Sequence, residues 1–139
     1  SNLCLGTMNF GWVTSEEDSF RIMDRALELG INFFDAADTY GNGRSERIIG
    51  KVLREGNERV FVATKVGNVR RDPEPPVQDF SAAYVTAACQ RSLENLGVTM
   101  IDLYQLHRPT FADVPQEETL AAFDTIFNTL APACDHFRL

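Results

Sequence analysis

Four side chains could act together as a proton-delivery device: Asp35, Tyr40, Lys65 and His107. Asp35, Lys65 and His107 each end a short apolar run, and Tyr40 follows Asp35 by five residues. Each has an ordinary explanation alone. A lysine at a strand end is usually solvated, and an aspartate before a turn usually caps it. An acid, a phenol, an amine and an imidazole in matching places suit delivery of a proton to a carbonyl oxygen. A tyrosine hydroxyl, with a reference pKa of ~10, gives up its proton reluctantly at neutral pH. A neighbouring ammonium eases this by favouring the phenolate. A carboxylate holds that ammonium in place, and an imidazole can donate to the carbonyl oxygen and orient it. Tyr40 is then the acid, Lys65 its tuner, Asp35 the anchor of Lys65 and His107 the orienting group. Asp38 also lies near Tyr40 and reads as a stabiliser of the turn around Gly41 and Gly43.

These residues need elements to carry them. Residues 3–7 read as a short strand. Residues 14–29 read as a helix with Thr14 and Glu17 as a capping box, Phe20, Met23 and Leu27 as its apolar stripe, and Gly30 after its last turn. Residues 31–37 form a second strand candidate. Ser45 can cap a second helix that buries Ile48, Ile49, Val52 and Leu53. Residues 59–65 are nearly all apolar, as in a buried parallel strand. The connection 66–80 contains Pro73, Pro75 and Pro76 and reads as a long loop, not regular structure throughout. Ser81 can cap a third helix with Tyr84, Val85, Ala88, Leu93 and Leu96 inward, closed by Gly97. Residues 100–107 are the fourth strand, and Pro109 forces a turn. Asp113 and Gln116 open a fourth helix with Leu120, Phe123, Phe127 and Leu130 as its stripe, ended by Pro132.

Four strand–helix units in a row imply an α/β fold with parallel strands and right-handed crossovers. A doubly wound sheet and an eightfold (βα)8 barrel of the TIM type both fit that rhythm. The first run is not followed by a Gly-x-Gly-x-x-Gly turn, which counts against a doubly wound nucleotide-binding domain. In a barrel the C-terminal strand ends converge on one mouth, where Asp35, Lys65 and His107 would meet.

Residues 34–41, Phe-Asp-Ala-Ala-Asp-Thr-Tyr-Gly, resemble the first signature of the aldo-keto reductase superfamily. Ala63-Thr64-Lys65 and Ile101-Asp102-Leu103-Tyr104-Gln105-Leu106-His107 resemble its lysine and histidine strands. Residues 45–50 and 91–97 resemble its helices. The resemblance runs from about Leu3 to about Thr125. It implies an NADPH-linked reductase of aldehydes and ketones, with Asp35, Tyr40, Lys65 and His107 on the tetrad positions. It also implies that Gly6, Thr7 and Met8, together with Asp35, pass the nicotinamide. Phe10, Trp12 and His107 are then candidate substrate contacts.

The 139 residues form one domain, with the tail 129–139 outside the resemblance. A full barrel needs about 250 residues, so the expectation is a partial barrel of about four units. The family's later strands, which hold the nicotinamide amide and the adenosine 2′-phosphate, have no counterpart, so weak or absent activity is expected. The start has no basic region, so no signal peptide is visible, and it lacks an initiator Met, which points to residues missing upstream. A formal net charge of −7 argues against broad nucleic-acid binding. No membrane span is visible. Cys4, Cys89 and Cys134 have no metal or disulfide spacing, and His136 sits in the unmatched tail, so no metal site is expected and a cytoplasmic location is. The expected partner is a small carbonyl substrate. Open barrel edges give a second expectation, self-association or a non-catalytic interaction role.

Overall fold

Every strand of the main sheet is followed by a helix that covers it. The computed structural model describes residues 1–56, 59–71, 74–110 and 117–130, with the side chains of 70, 71, 76 and 127–130 left out. In order, the elements are β1 (Leu5–Gly6), α1 (Glu16–Glu28), β2 (Phe33–Asp35), α2 (Arg44–Glu55), β3 (Phe61–Val66), β4 (Asn68–Arg71), β5 (Glu74–Gln78), α3 (Ala82–Leu96), β6 (Leu103–Leu106) and α4 (Glu117–Leu130). The main sheet runs β1-β2-β3-β6, all parallel. That order follows the chain without reversal. A doubly wound sheet reverses beside its first strand, so this is a barrel wall edged, among the described residues, by β1 and β6.

Strand alternation divides the side chains between two faces. Phe34, Val62 and Val66 face the helices and are buried. Phe34, Val62, Met23, Ile48, Ile49 and Leu96 form one core cluster, and Val66, Val85, Ala88 and Ala122 form a second under α3 and α4. Phe34, Met23, Ile49 and Leu96 are 0% exposed, and burying such a side chain is worth about 1.5–3 kcal/mol. The opposite face carries Phe33, Asp35, Phe61, Ala63, Lys65, Leu103 and Gln105. Near the N-terminal strand ends it is apolar and open, with Phe61 39% and Leu103 44% exposed.

Several local expectations are corrected. The cap of α1 is Ser15, whose hydroxyl accepts the Asp18 N–H at 3.1 Å. Thr14 instead bridges to Phe10, and Glu17 pairs with Arg21. The first residue before α2 is Gly43 at φ 76°, without a side-chain cap, and Ser45 spends its hydroxyl elsewhere. Ser81 does cap α3, accepting the Tyr84 N–H, and Gly97 ends it in the left-handed region. The connection 66–80 is an antiparallel hairpin, β4–β5, with Asn68 opposite Gln78 and Val69 opposite Val77. Pro75 and Pro76 fall where its register breaks, which is why a two-stranded ribbon tolerates them. Gly67, at φ 123°, opens the hairpin; a Cβ there would overlap the Phe80 ring. Gln78 Nε2 donates to His107 O and Arg108 O, tying the hairpin to the end of β6. Leu120, expected inward, is 55% exposed, while Thr119 and Ala122 are buried among the described side chains of α4. Asp113, Gln116, Pro132, Cys134 and His136 lie outside the described residues. No helix among the described residues is long and apolar enough to cross a membrane.

Candidate active site

The register of the sheet brings Asp35 and Lys65 together. Asp35 pairs with Ala63 across β2 and β3. Lys65 lies two residues on, so its side chain rises on the same face as Ala63 and leans toward Asp35. Its Nζ donates to both Asp35 carboxylate oxygens and to Ala36 O, each at 2.7 Å. It also donates to Tyr40 OH at 3.5 Å and stands 5.0 Å from the centre of that ring. The lysine side chain is 16% exposed and the aspartate 32%. Low solvent access makes this charge pair stronger than a surface one.

Tyr40 reaches the pair from the turn that joins β2 to α2. Its N–H donates to Ala37 O at 3.1 Å, and its carbonyl accepts the Ser45 N–H at 3.3 Å. Gly41, Asn42 and Gly43 follow in the left-handed region, which folds the turn back over the strand end. His107 follows β6, and its N–H donates to Val66 O at 2.7 Å. Its imidazole meets the Tyr40 ring edge to face, centroids 5.8 Å apart. Burial, then the charges of Lys65 and Arg108, lower the His107 pKa against a weaker pull from Asp35. The imidazole is therefore neutral at neutral pH and carries one N–H. Its Nδ1 is buried without a hydrogen-bond partner among the described residues. The four groups expected to meet at one rim do so.

The neighbouring residues divide. Trp12 is 72% exposed and Met8 54%, and both line a cleft of ≈ 430 Å³ with Tyr40. Phe10 is corrected: it is 3% exposed inside the core cluster. The bridge from Phe10 to Thr14 and the hydrogen bond from Phe10 N to Thr7 O turn its ring inward. Thr7 is fully buried. Its N–H and hydroxyl both donate to Asp35 O, at 3.0 and 2.9 Å, so it braces the site instead of facing a ligand. Gly6 is exposed beside Asp35, and nothing stands within 4 Å of where its Cβ would be.

Sequence reasoning missed three polar residues behind the tetrad. Glu46 is 0% exposed. It accepts from Thr64 Oγ1 at 2.7 Å and from Asn95 Nδ2 at 2.9 Å. The available signal was Thr64, a hydroxyl on the helix-facing side of an otherwise apolar strand.

The Aldo/keto reductase family model matches residues 2–128. The chain belongs to the aldo/keto reductase family. Among similar proteins, the uncharacterised oxidoreductase YqkF of Bacillus subtilis is 40% identical over 127 residues, covering 91% of this chain and 40% of the relative. A second Bacillus subtilis oxidoreductase, YrpG, is 42% identical over 135 residues, covering 90% and 41%. The solved holo form of an aldo-keto reductase from Bacillus halodurans superposes with a TM-score of 0.80 at 42% identity, over 91% of this chain and 42% of that one. A glycerol dehydrogenase from Gluconobacter oxydans gives 0.79 at 32% identity, over 92% and 41%. This aldo/keto reductase chain spans about two-fifths of the length of the curated relatives it matches.

Proposed function

We propose that this chain is the tetrad-bearing part of an NADPH-dependent reductase of aldehydes and ketones. The observation that carries the reading is Lys65 Nζ at 2.7 Å from both Asp35 oxygens and 3.5 Å from Tyr40 OH. Tyr40 protonates the carbonyl oxygen of the substrate. Lys65 stands against the phenol oxygen and stabilises the negative charge that remains there. Asp35 keeps the ammonium in place. His107, neutral and packed on the Tyr40 ring, donates its one N–H to the same carbonyl oxygen. Met8 and Trp12 form the apolar side of the substrate cleft.

The residues present fit the nicotinamide end of NADPH. The open space over Gly6 lets a flat ring lie against the backbone beside Asp35. Gly6 and Met8 would hold it, and Thr7 would support them from beneath. When bound, NADPH supplies the hydride. Free thiols at Cys4 and Cys89 support a reducing, cytoplasmic setting.

A chimera tests this reading. Residues 2–128 replace the matching part of the Bacillus halodurans enzyme, completing the barrel. The chimera should oxidise NADPH in the presence of a broad aldehyde substrate, and Tyr40→Phe should cost about 10²–10⁴-fold in kcat. Equal rates with and without the phenol hydroxyl would refute the assignment.

Exposed Phe61 and Leu103 on the open face, with two unpaired sheet edges, favour a second reading: the isolated chain self-associates and acts as an interaction protein. Sedimentation decides it, since a cooperative monomer would contradict self-association.

A further inference from the structure

We propose that Ser45 and Glu46, consecutive residues in the first turn of α2, are positioning residues that set the relative height of the two strand ends carrying Asp35 and Lys65. The proposal rests on the tetrad reading above. Neither residue touches the Asp35 carboxylate or the Lys65 ammonium; each acts through a threonine.

Ser45 holds the Asp35 side. Its Oγ donates to Thr7 O at 3.0 Å and lies 2.7 Å from Thr7 Oγ1. Thr7 donates twice to the Asp35 carbonyl. Glu46 holds the Lys65 side. Its Oε1 accepts from Thr64, the residue before Lys65, and its Oε2 accepts from Asn95 on α3. One helical turn therefore grips both strands from the face opposite the tetrad.

The strands need such a grip. The β2–β3 pairing ends at Asp35 and Ala63. Beyond it, two backbone hydrogen bonds among the described residues join the two segments, Ala36 N to Ala63 O at 2.8 Å and Asp38 N to Lys65 O at 3.2 Å. Lys65 lies past the last residue of β3 that pairs with β2, although β6 still pairs with it at Gln105. Yet its Nζ keeps three contacts of 2.7 Å, and a slip of a fraction of an ångström between strands would unbalance them. The choice of residue supports a role beyond packing. A fully buried carboxylate is expensive unless hydrogen bonds and positive dipoles surround it. Glu46 has two side-chain donors and sits in the first turn of a helix, where free amides favour an anion. The helices are shaped for this contact: a Cβ on Gly50 would come within 2.6 Å of Leu96 O, so only glycine lets α2 and α3 approach closely enough for Asn95 to reach Glu46.

The test reads the Lys65 ammonium directly by nitrogen-15 NMR of the full chain. The chain has two lysines, Lys51 and Lys65, so Lys51 is an internal reference. Thr64→Val cuts the Glu46 arm, and Ser45→Ala cuts the Thr7 arm. In both, the Lys65 ammonium protons should exchange with solvent about fivefold faster, the response to one lost hydrogen bond, with Lys51 unchanged. Thr64→Ser should restore the wild-type rate. Asp35→Asn is the control on the tetrad itself. If it leaves Lys65 exchange unchanged, the tetrad reading fails. If it accelerates Lys65 while Thr64→Val and Ser45→Ala only lower the melting temperature, the positioning role is overturned and the tetrad stands. Should Thr64→Val not fold, Ser45→Ala decides alone.

Discussion

Asp38→Asn should change how the stability of this chain responds to pH. Burial pushes the Asp38 carboxyl up to about 7; the charge of Glu46 adds to this, while the Thr39 N–H and Arg91 oppose it. Its Oδ1 is buried and makes no hydrogen bond among the described residues. A carboxyl with a raised folded pKa holds its proton more tightly in the folded chain than in the unfolded one. Stability is therefore greatest below the unfolded pKa of 3.8, falls as pH rises and levels off above about 7. The shift of roughly three units corresponds to about 4 kcal/mol lost by pH 8, of which about 1 kcal/mol falls between pH 6.5 and 8.5. His107 acts with the opposite sign. Its lowered folded pKa makes the chain gain stability as pH rises to and through 6.5; both chains share that gain, so the difference between them isolates Asp38. Asparagine keeps an oxygen for the Thr39 N–H and carries no charge. Urea unfolding at fixed protein concentration from pH 6.5 to 8.5 measures both chains. Relative to Asp38→Asn, wild type should weaken by about 1 kcal/mol across this range, and Asp38→Asn should exceed wild type by about 1–3 kcal/mol at pH 8.5. Parallel curves, or a variant weaker than wild type throughout, would refute the reasoning.

Other perturbations have definite outcomes. The His107 imidazole should titrate below 6.5 by proton NMR, and Lys65→Met should raise its midpoint by removing a repelling charge. Gly67→Ala forces a Cβ into the Phe80 ring at a φ that side chains rarely adopt; thermal melts should show a loss of about 2 kcal/mol or more. Phe34→Ala empties a fully buried site in the larger core cluster and should cost about 3–5 kcal/mol in denaturant unfolding. Leu103→Glu places a charge on the open face and should shift the sedimentation distribution toward smaller species if that face drives association.

The meeting of the four side chains was legible because it depends on strand ends, and strand ends are marked by a switch from apolar to polar residues. Phe33-Phe34-Asp35 and the run before Lys65 carry that mark. Helix starts were less legible. Thr14 and Ser15 can both cap, and only the path of the loop from Phe10 selects Ser15. Ser45 has the chemistry of a cap, but Gly43 in the left-handed region begins the helix and frees the Ser45 hydroxyl for Thr7. The hairpin was hidden by its prolines, which forbid a central strand but not a short ribbon whose register breaks there. Glu46 was hidden for another reason. A charged residue on a helix reads as solvated, and only the approach of Thr64 and Asn95 from distant parts of the chain makes its burial tolerable. Phe10 shows the reverse error, an aromatic near the mouth that turns into the core.

The sequential order of the main sheet has an evolutionary reading. Asp35, Tyr40, Lys65 and His107, the four groups proposed to react, all lie at or just after the C-terminal ends of β2, β3 and β6. Reactivity can therefore be inherited as a single cassette. In a complete barrel, recombination beyond β6 would exchange the other wall without separating these four side chains from one another.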